Sequence, residues 1–264
     1  MNSQPTDKGA PTREDPIRDL YYRPWEIAET VSSWLFWIAA GLSFAALYVD
    51  KAIYPRGYGF ILVAFVVAVA AFFAVGLANR LYFAPRAEEA RRQEFVSNAY
   101  GISLTHERTV GYYNNEEAEP DRRLALCVLE NSFFTKAVLR SMAPWVRFRT
   151  AIYLGLWIAA AAWRDTPLDW IAAGAQVLFS EELLSKWLRL EWYRMKAEAI
   201  YSTTAKVLRS DPASDRLKAI AAEAFANYES AKSVAGVLLS KDSFEKANAG
   251  LSAEWDRVRA SLAK

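Results

Sequence analysis

The decisive stretches are VSSWLFWIAAGLSFAALYV at residues 31–49 and YGFILVAFVVAVAAFFAVGLA at residues 58–78, neither of which carries a charged side chain. Each is about twenty residues long, so as a helix it spans the hydrocarbon core of a bilayer, which is about 30 Å thick. A helix on a soluble core rarely stays apolar on every face over such a length. The two stretches therefore predict transmembrane helices joined as a hairpin.

Whole-chain averages conceal this segregation of apolar and charged residues. Mean hydropathy is −0.02 and 23% of the 264 residues are charged, values typical of a soluble protein. The first apolar stretch begins after a polar tail of about thirty residues, which disfavours a cleavable signal peptide. A net charge of +2 gives no long-range field for nucleic acid, so no nucleic-acid partner is expected.

Lys and Arg side chains set the predicted orientation, because they favour cytoplasmic loops and tails. The short loop at residues 50–57 holds only Lys51 and Arg56, whereas clusters of cations flank both outer ends of the hairpin. We therefore expect a multi-pass membrane protein with cytoplasmic N- and C-termini.

Two further apolar segments, residues 150–163 and 170–180, are short for a bilayer and leave a soluble helical hairpin as an alternative. A tight connection joins them. Trp145 lies shortly before the first segment and Trp163 at its end. The two would lie about 26 Å apart along a helix, close to the separation of two interfacial belts. Arg149 and Glu182 would also reach similar depths on antiparallel neighbours, where charges in a bilayer pair. These features favour a second transmembrane hairpin.

The predicted fold is thus an all-α integral membrane protein with two transmembrane hairpins and a cytoplasmic helical domain. A disordered cytoplasmic tail covers residues 1–26, and the first hairpin covers 27–80. A cytoplasmic helical segment with a short irregular or β excursion follows at 81–144, where Pro144 should end the helix that Pro120 opens. The second hairpin covers 145–188 and a helical C-terminal region covers 189–264.

Polar residues of the second hairpin form the first candidate site. They are either an intramembrane ion pair that docks two helices or the lining of a water-filled path through an oligomer: Arg147, Arg149, Gln176, Glu181 and Glu182. A row of small residues on the second apolar stretch predicts close helix packing, within the chain or between copies: Ala64, Ala68, Ala71 and Ala78. We expect a homo-oligomer in the lipid bilayer.

A second candidate site lies within residues 106–123, where aromatic, amide and guanidinium groups could stack on and pair with a nucleotide. Its members are His106, Arg108, Tyr112, Tyr113, Asn114, Asn115, Arg122 and Arg123. A surface turn followed by a helix start explains the same residues.

Catalytic and cofactor motifs are absent from the sequence, so we expect neither an enzyme nor a bound cofactor. The single cysteine, Cys127, cannot form an internal disulfide. With one histidine, His106, the chain also lacks the usual nitrogen and sulfur ligands of a zinc site.

The plan of a polar tail, a membrane hairpin and cytoplasmic helices resembles the small transmembrane effectors of bacterial antiphage nucleotide-signalling operons. It is most similar to the SMODS-associated two- and four-span effector families, with a local likeness in YGISLTHERTVGYYNN (residues 100–115) and ENSFFTK (residues 130–136). The resemblance implies a location in the bacterial inner membrane, oligomerisation, and membrane permeabilisation on receipt of a cyclic nucleotide. It assigns no functional residue. The alternatives are a membrane-anchored scaffold or accessory subunit that binds a partner protein, and a small transporter or channel.

Cysteine labelling in intact cells tests the predicted topology. In a Cys127→Ser background, Pro55→Cys should react with a membrane-impermeant maleimide, because the 50–57 loop faces outward. Ser230→Cys should react only after the cells are opened. Labelling of position 230 in intact cells would contradict the predicted orientation.

Overall fold

A computed structural model describes residues 14–107, 109, 117–210 and 213–262. The described chain is all-helical and contains no strand, which confirms the predicted all-α class. Its α-helices are α1 (Arg23–Tyr48), α2 (Pro55–Ala78), α3 (Ala84–Tyr100), α4 (Pro120–Ala162), α5 (Leu168–Leu178), α6 (Lys186–Arg209), α7 (Ser214–Ala235) and α8 (Lys241–Leu262). π-Helical turns occupy Arg18–Tyr22, Asn79–Phe83 and Glu181–Ser185.

The helical domain consists of α3, the first part of α4, α6, α7 and α8. Its main core contains Phe95, Leu129, Phe133, Leu208 and Trp255, each no more than 3% exposed. Two ring pairs, Phe133–Tyr201 and Phe133–Trp255, have centroids 5.8 Å apart. The domain therefore has an apolar interior of the kind that supports a folded unit in water.

The apolar bundle consists of α1, α2, residues 145–162 of α4, and α5. α1 is its central helix: it lies along α2, with Phe36 and Phe72 ring centroids 6.0 Å apart. On its other side, Trp37 lies 5.5 Å from Tyr153 of α4, and Tyr48 lies 5.1 Å from Trp170 of α5. The two apolar hairpins thus form one four-helix arrangement.

Two helices are long and apolar enough to cross a membrane, Arg18–Tyr48 and Pro55–Tyr100, with mean hydropathy of 1.5 and 2.9 over their most apolar windows. Those windows are only 22% and 6% buried within the protein. A helix in a soluble core buries most of its apolar surface, whereas these helices expose it. Length, composition and exposure all agree with the sequence prediction for the first hairpin.

Pro144 does not end its helix, so that prediction is wrong. It lies inside α4, which runs without interruption from Pro120 to Ala162, about 65 Å at 1.5 Å per residue. An internal proline has no amide hydrogen and costs the helix a hydrogen bond. Close packing on both sides compensates, since Leu139 and Ala143 before it and Thr150 after it are at most 3% exposed.

Three other expectations need correction. The tail at residues 1–26 was expected to be disordered, but residues 16–26 are helical, and Ile17 is fully buried. The expected β excursion has no strand at residues 101–107, and most of its remainder lies outside the described residues. The second hairpin was expected to cover residues 145–188, but its second helix, α5, ends at Leu178, because Ser180 takes an extended conformation with ψ of 166°.

Packing between α4 and α5 can be tested with two glycines. A Cβ at Gly174 would lie 2.9 Å from Cδ1 of Trp157, whose Nε1 donates a hydrogen bond to the Ile171 carbonyl at 3.0 Å. Gly174→Ala should destabilise the protein by about 1–3 kcal/mol, because the fixed ring cannot yield without losing that bond. The melting temperature in detergent should fall by roughly 2–4 °C per kcal/mol.

Gly155→Ala is the matched control, since no atom lies within 4 Å of a Cβ placed there. It should leave the melting temperature unchanged or raise it slightly, because alanine favours the helix over glycine. Equal melting temperatures for the two variants would contradict the observed packing of α5 on α4.

Candidate functional site

The boundary between the apolar bundle and the helical domain is marked by π-helical turns. Arg18–Tyr22 precedes α1, Asn79–Phe83 follows α2, and Glu181–Ser185 follows α5 and its break. Such turns are rare and often occur at functional sites, because the extra residue weakens the regular hydrogen-bond pattern. All three of these lie where an apolar helix meets the polar domain.

A cluster of polar side chains, here called the junction, joins these elements. Lys186 Nζ lies 3.1 Å from Glu29 Oε1 of α1 and 3.4 Å from Glu182 Oε2. Asn79 Nδ2 donates to Glu29 Oε2 at 3.4 Å. Lys186 therefore carries one positive charge between two carboxylates, and the cluster ties α1, the end of α2 and the start of α6 together.

Arg149 completes the junction from α4. Its Nη2 donates to the backbone carbonyl of Glu182 at 3.2 Å, while the Glu182 carboxylate contacts Lys186. Glu182 is only 7% exposed, so its charge depends on that single lysine contact. The structure thus brings Arg149 and Glu182 together as predicted from their depth, but through a carbonyl oxygen instead of a carboxylate.

Arg147, Gln176 and Glu181 lie apart from the junction. Arg147 donates to Glu191 of α6, and this hydrogen bond lowers the pKa of the Glu191 carboxyl. Gln176 and Glu181 are exposed and make no hydrogen bond or ion pair with another described side chain. The five polar residues of the second hairpin consequently do not line one continuous path within a single chain.

The predicted nucleotide site is only partly described: Arg108, Tyr112, Tyr113, Asn114 and Asn115 lie outside the described residues. His106 is exposed. Arg122 contacts Glu117 at 3.3 Å and donates to the carbonyl of Leu262 at 3.4 Å, while Arg123 donates to the carbonyls of Glu117 and Asn98.

These two arginines, Arg122 and Arg123, therefore hold neighbouring chain segments together at the start of α4. Thr109 donates to buried Glu94 through its backbone amide at 3.0 Å and its hydroxyl at 2.6 Å. Glu107 accepts a hydrogen bond at 3.1 Å from Tyr21, in the turn that precedes α1. Sequence analysis did not find these two anchors, since both join residues that are distant in the chain.

The alanine row lies on the face of α2 that packs against α1. Ala68 is 6% exposed and is the only buried residue of α2. Ala64, Ala71 and Ala78 are partly buried around it. Within one chain, the small residues thus allow close approach of α1 and α2.

Glu29, Asn79 and Lys186 were missed by the sequence analysis. A signal for them exists, since Glu29 and Asn79 directly flank the apolar stretches and Lys186 follows Glu182 by one helical turn. Polar residues at the same end of several apolar helices are candidates for mutual pairing. No group of three or more His, Cys, Asp or Glu side chains in the described parts of the chain could hold a metal ion.

The chain matches no protein-family model, no curated protein and no solved structure.

Lys186→Gln tests the junction. Removing this cation leaves the carboxylates of Glu29 and Glu182 without the lysine that pairs with both, which should cost about 1–3 kcal/mol. The melting temperature in detergent should fall accordingly, and Lys186→Gln/Glu182→Gln should recover part of the loss because the buried charge is removed as well. Lys196→Gln, on the exposed face of the same helix, should match the parent. A parent-like melting temperature for Lys186→Gln would show that the junction contributes nothing.

Proposed function

We propose that this protein is an integral membrane effector whose cytoplasmic helical domain receives a signal and changes the packing of a four-helix membrane bundle. The observation that carries the proposal is helix continuity. Residues 55–100 form one unbroken helical run, and α4 extends for 43 residues from the domain into the apolar bundle. A displacement in the domain would therefore reach the bundle without passing through a flexible loop.

Exposure of large apolar side chains supports membrane insertion of the first hairpin. Phe60 is 75% exposed and Phe73 is 68% exposed, on opposite ends of α2. Soluble proteins rarely expose a contiguous apolar surface of this extent, because water contact with it is unfavourable. A bilayer removes the whole surface from water.

The second hairpin shares this surface. Leu156 of α4, Trp163 directly after α4 and Leu168 of α5 are all more than 60% exposed, while other residues of α4 and α5 pack on α1. α5 alone is about 16 Å long. The returning segment therefore needs the break at residues 179–180 and the π-helical turn Glu181–Ser185 to complete its span. We therefore propose four spans with both termini in the cytoplasm.

The junction is the proposed control element. Its carboxylates, Glu29 and Glu182, pair with Lys186 within one chain, and we place the junction at the cytoplasmic end of the bundle. If the signal shifts α1 or α6, the contacts among Glu29, Lys186 and Glu182 break. These side chains would then pair with polar groups of neighbouring copies, since polar groups in a bilayer favour helix association. Self-association through these groups would open a polar path. The resemblance to transmembrane effectors of antiphage operons supports a role for this permeabilisation in antiphage defence.

Dye release from liposomes tests this proposal. The purified chain is reconstituted with a self-quenching dye inside, and Lys186→Gln should raise the leak rate severalfold over the parent because it loosens the junction. Lys196→Gln is the matched control and should leak at the parental rate.

Expression in cells gives the second readout. Lys186→Gln should arrest growth and admit a membrane-impermeant dye at expression levels that the parent tolerates. Properly inserted Lys186→Gln that remains as tight as the parent in both assays would contradict the effector function. Stable capture of one partner protein without leakage would favour the scaffold.

A further inference from the structure

A cavity of about 210 Å³ lies inside the helical domain, against the segment that leads into α1. Residues of α3, α4, α6 and α7 form its floor and sides, and the chain between α7 and α8 closes one end. The segment from Asp15 to Glu26 covers it. The sequence analysis assigned no role to this part of the domain, and the junction lies outside it.

Aromatic rings form much of the wall. They come from six separate parts of the fold and include Tyr22, Trp25, Phe95, Phe134, Tyr193, Tyr228 and Phe244. The faces of such rings carry partial negative charge and attract cations, most strongly where water is excluded. Tyr193 is fully buried, and its burial raises its pKa well above the usual value, so this hydroxyl stays neutral.

Four cations and four carboxylates line the cavity. Each of the cations has a carboxylate partner: Arg18–Glu26 at 3.4 Å, Arg91–Asp15 at 2.7 Å, Lys232–Glu229 at 2.7 Å, and Lys241 with Glu245, which lies outside the wall, at 3.5 Å. The remaining carboxylate of the wall, Glu88 of α3, has no cation within 4.0 Å among the described residues. Every cation of the wall is thus engaged by another carboxylate, and none is left to pair with Glu88 alone.

Partial burial of Glu88 raises the pKa of its carboxyl, an effect that nearby Lys232 and a hydrogen bond with Ser233 only partly offset. A carboxylate in such surroundings gains from a cation that enters the cavity, because the cation restores neutrality where water screens poorly.

We propose that this cavity is a binding site for a small organic cation that carries an ammonium group on an apolar body, either a single ring or a compact alkyl group. The ammonium would lie beside Glu88 and the body against the rings. An apolar cavity of about 150 Å³ accommodates benzene, so 210 Å³ suits one ring with a short amine. A nucleotide is larger and negatively charged, and every cation of this wall is already paired.

The site also has a route to the apolar bundle. Tyr22 and Trp25 lie at the start of α1, and Arg91 stacks on Tyr22 with its guanidinium carbon 5.6 Å from the ring centre. A ligand that pushes on these rings moves α1, whose Glu29 belongs to the junction four residues further on. This coupling rests on the proposed function, whereas the binding itself does not.

Binding is tested on the full chain in detergent with phenethylammonium as the probe. It should raise the melting temperature and change tryptophan fluorescence, because Trp25 lies in the wall and a ligand of the folded state stabilises it. 2-Phenylethanol has the same ring without the charge, and phenylacetate carries the opposite charge. Both should bind at least about tenfold more weakly. 2-Phenylethanol cannot make the charged hydrogen bond to Glu88, and phenylacetate is repelled by it.

Glu88→Gln keeps the shape of the side chain and removes its charge, so the domain should fold while its affinity for phenethylammonium falls at least about tenfold. Glu89→Gln, on the exposed side of the same helix, is the matched control and should bind as the parent does. Phe244→Leu, which removes one ring of the wall, should weaken binding by a smaller factor.

No stabilisation by phenethylammonium, equal binding of 2-phenylethanol, or unchanged affinity in Glu88→Gln would overturn the site. The leak assay separates this from the proposed function. Phenethylammonium that binds in detergent without changing dye release leaves the site in place and contradicts the coupling. If Lys186→Gln raises leakage but phenethylammonium does not bind, the proposed function stands and the cation site is contradicted.

Discussion

The apolar surface of α2 constrains the rest of the structure. This helix packs on α1 along one face and leaves most of its Phe, Val and Leu side chains exposed, which is unfavourable in water. α1 then occupies the centre of the bundle, since it contacts α2 on one side and the α4–α5 pair on the other. The helical domain can only lie at the ends of these helices, where polar residues return.

Electrostatics at that boundary follow from this arrangement. A carboxylate such as Glu182, nearly buried beside apolar helices, is stable only with a compensating cation and hydrogen bonds. Lys186 supplies the charge, and because it also contacts Glu29 it connects two helices that are far apart in sequence. One side chain thereby makes the position of α1 depend on that of α6. The π-helical turns beside it are an irregularity of the kind frequently found at functional sites.

The two polar sites of the molecule differ in how their charges are balanced. At the junction one lysine serves two carboxylates, so the cluster is sensitive to the loss of that lysine. In the domain cavity all four cations are paired with carboxylates other than Glu88, so the Glu88 carboxylate is suited to an incoming cation. Both sites contact α1 or the turn before it, which makes α1 the element through which they would communicate.

The sequence by itself determined the helical class, the two long apolar helices, and the helix start at Pro120, because these depend on local composition and on the fixed geometry of proline. It also placed Arg149 near Glu182. Only the tertiary structure decided that α4 continues through Pro144, that the fourth segment breaks at Ser180, and that Lys186 is the partner of the Glu182 carboxylate. Those outcomes depend on packing and charge contacts between residues distant in the chain, such as Glu29 with Lys186 and Asp15 with Arg91, which local patterns do not encode.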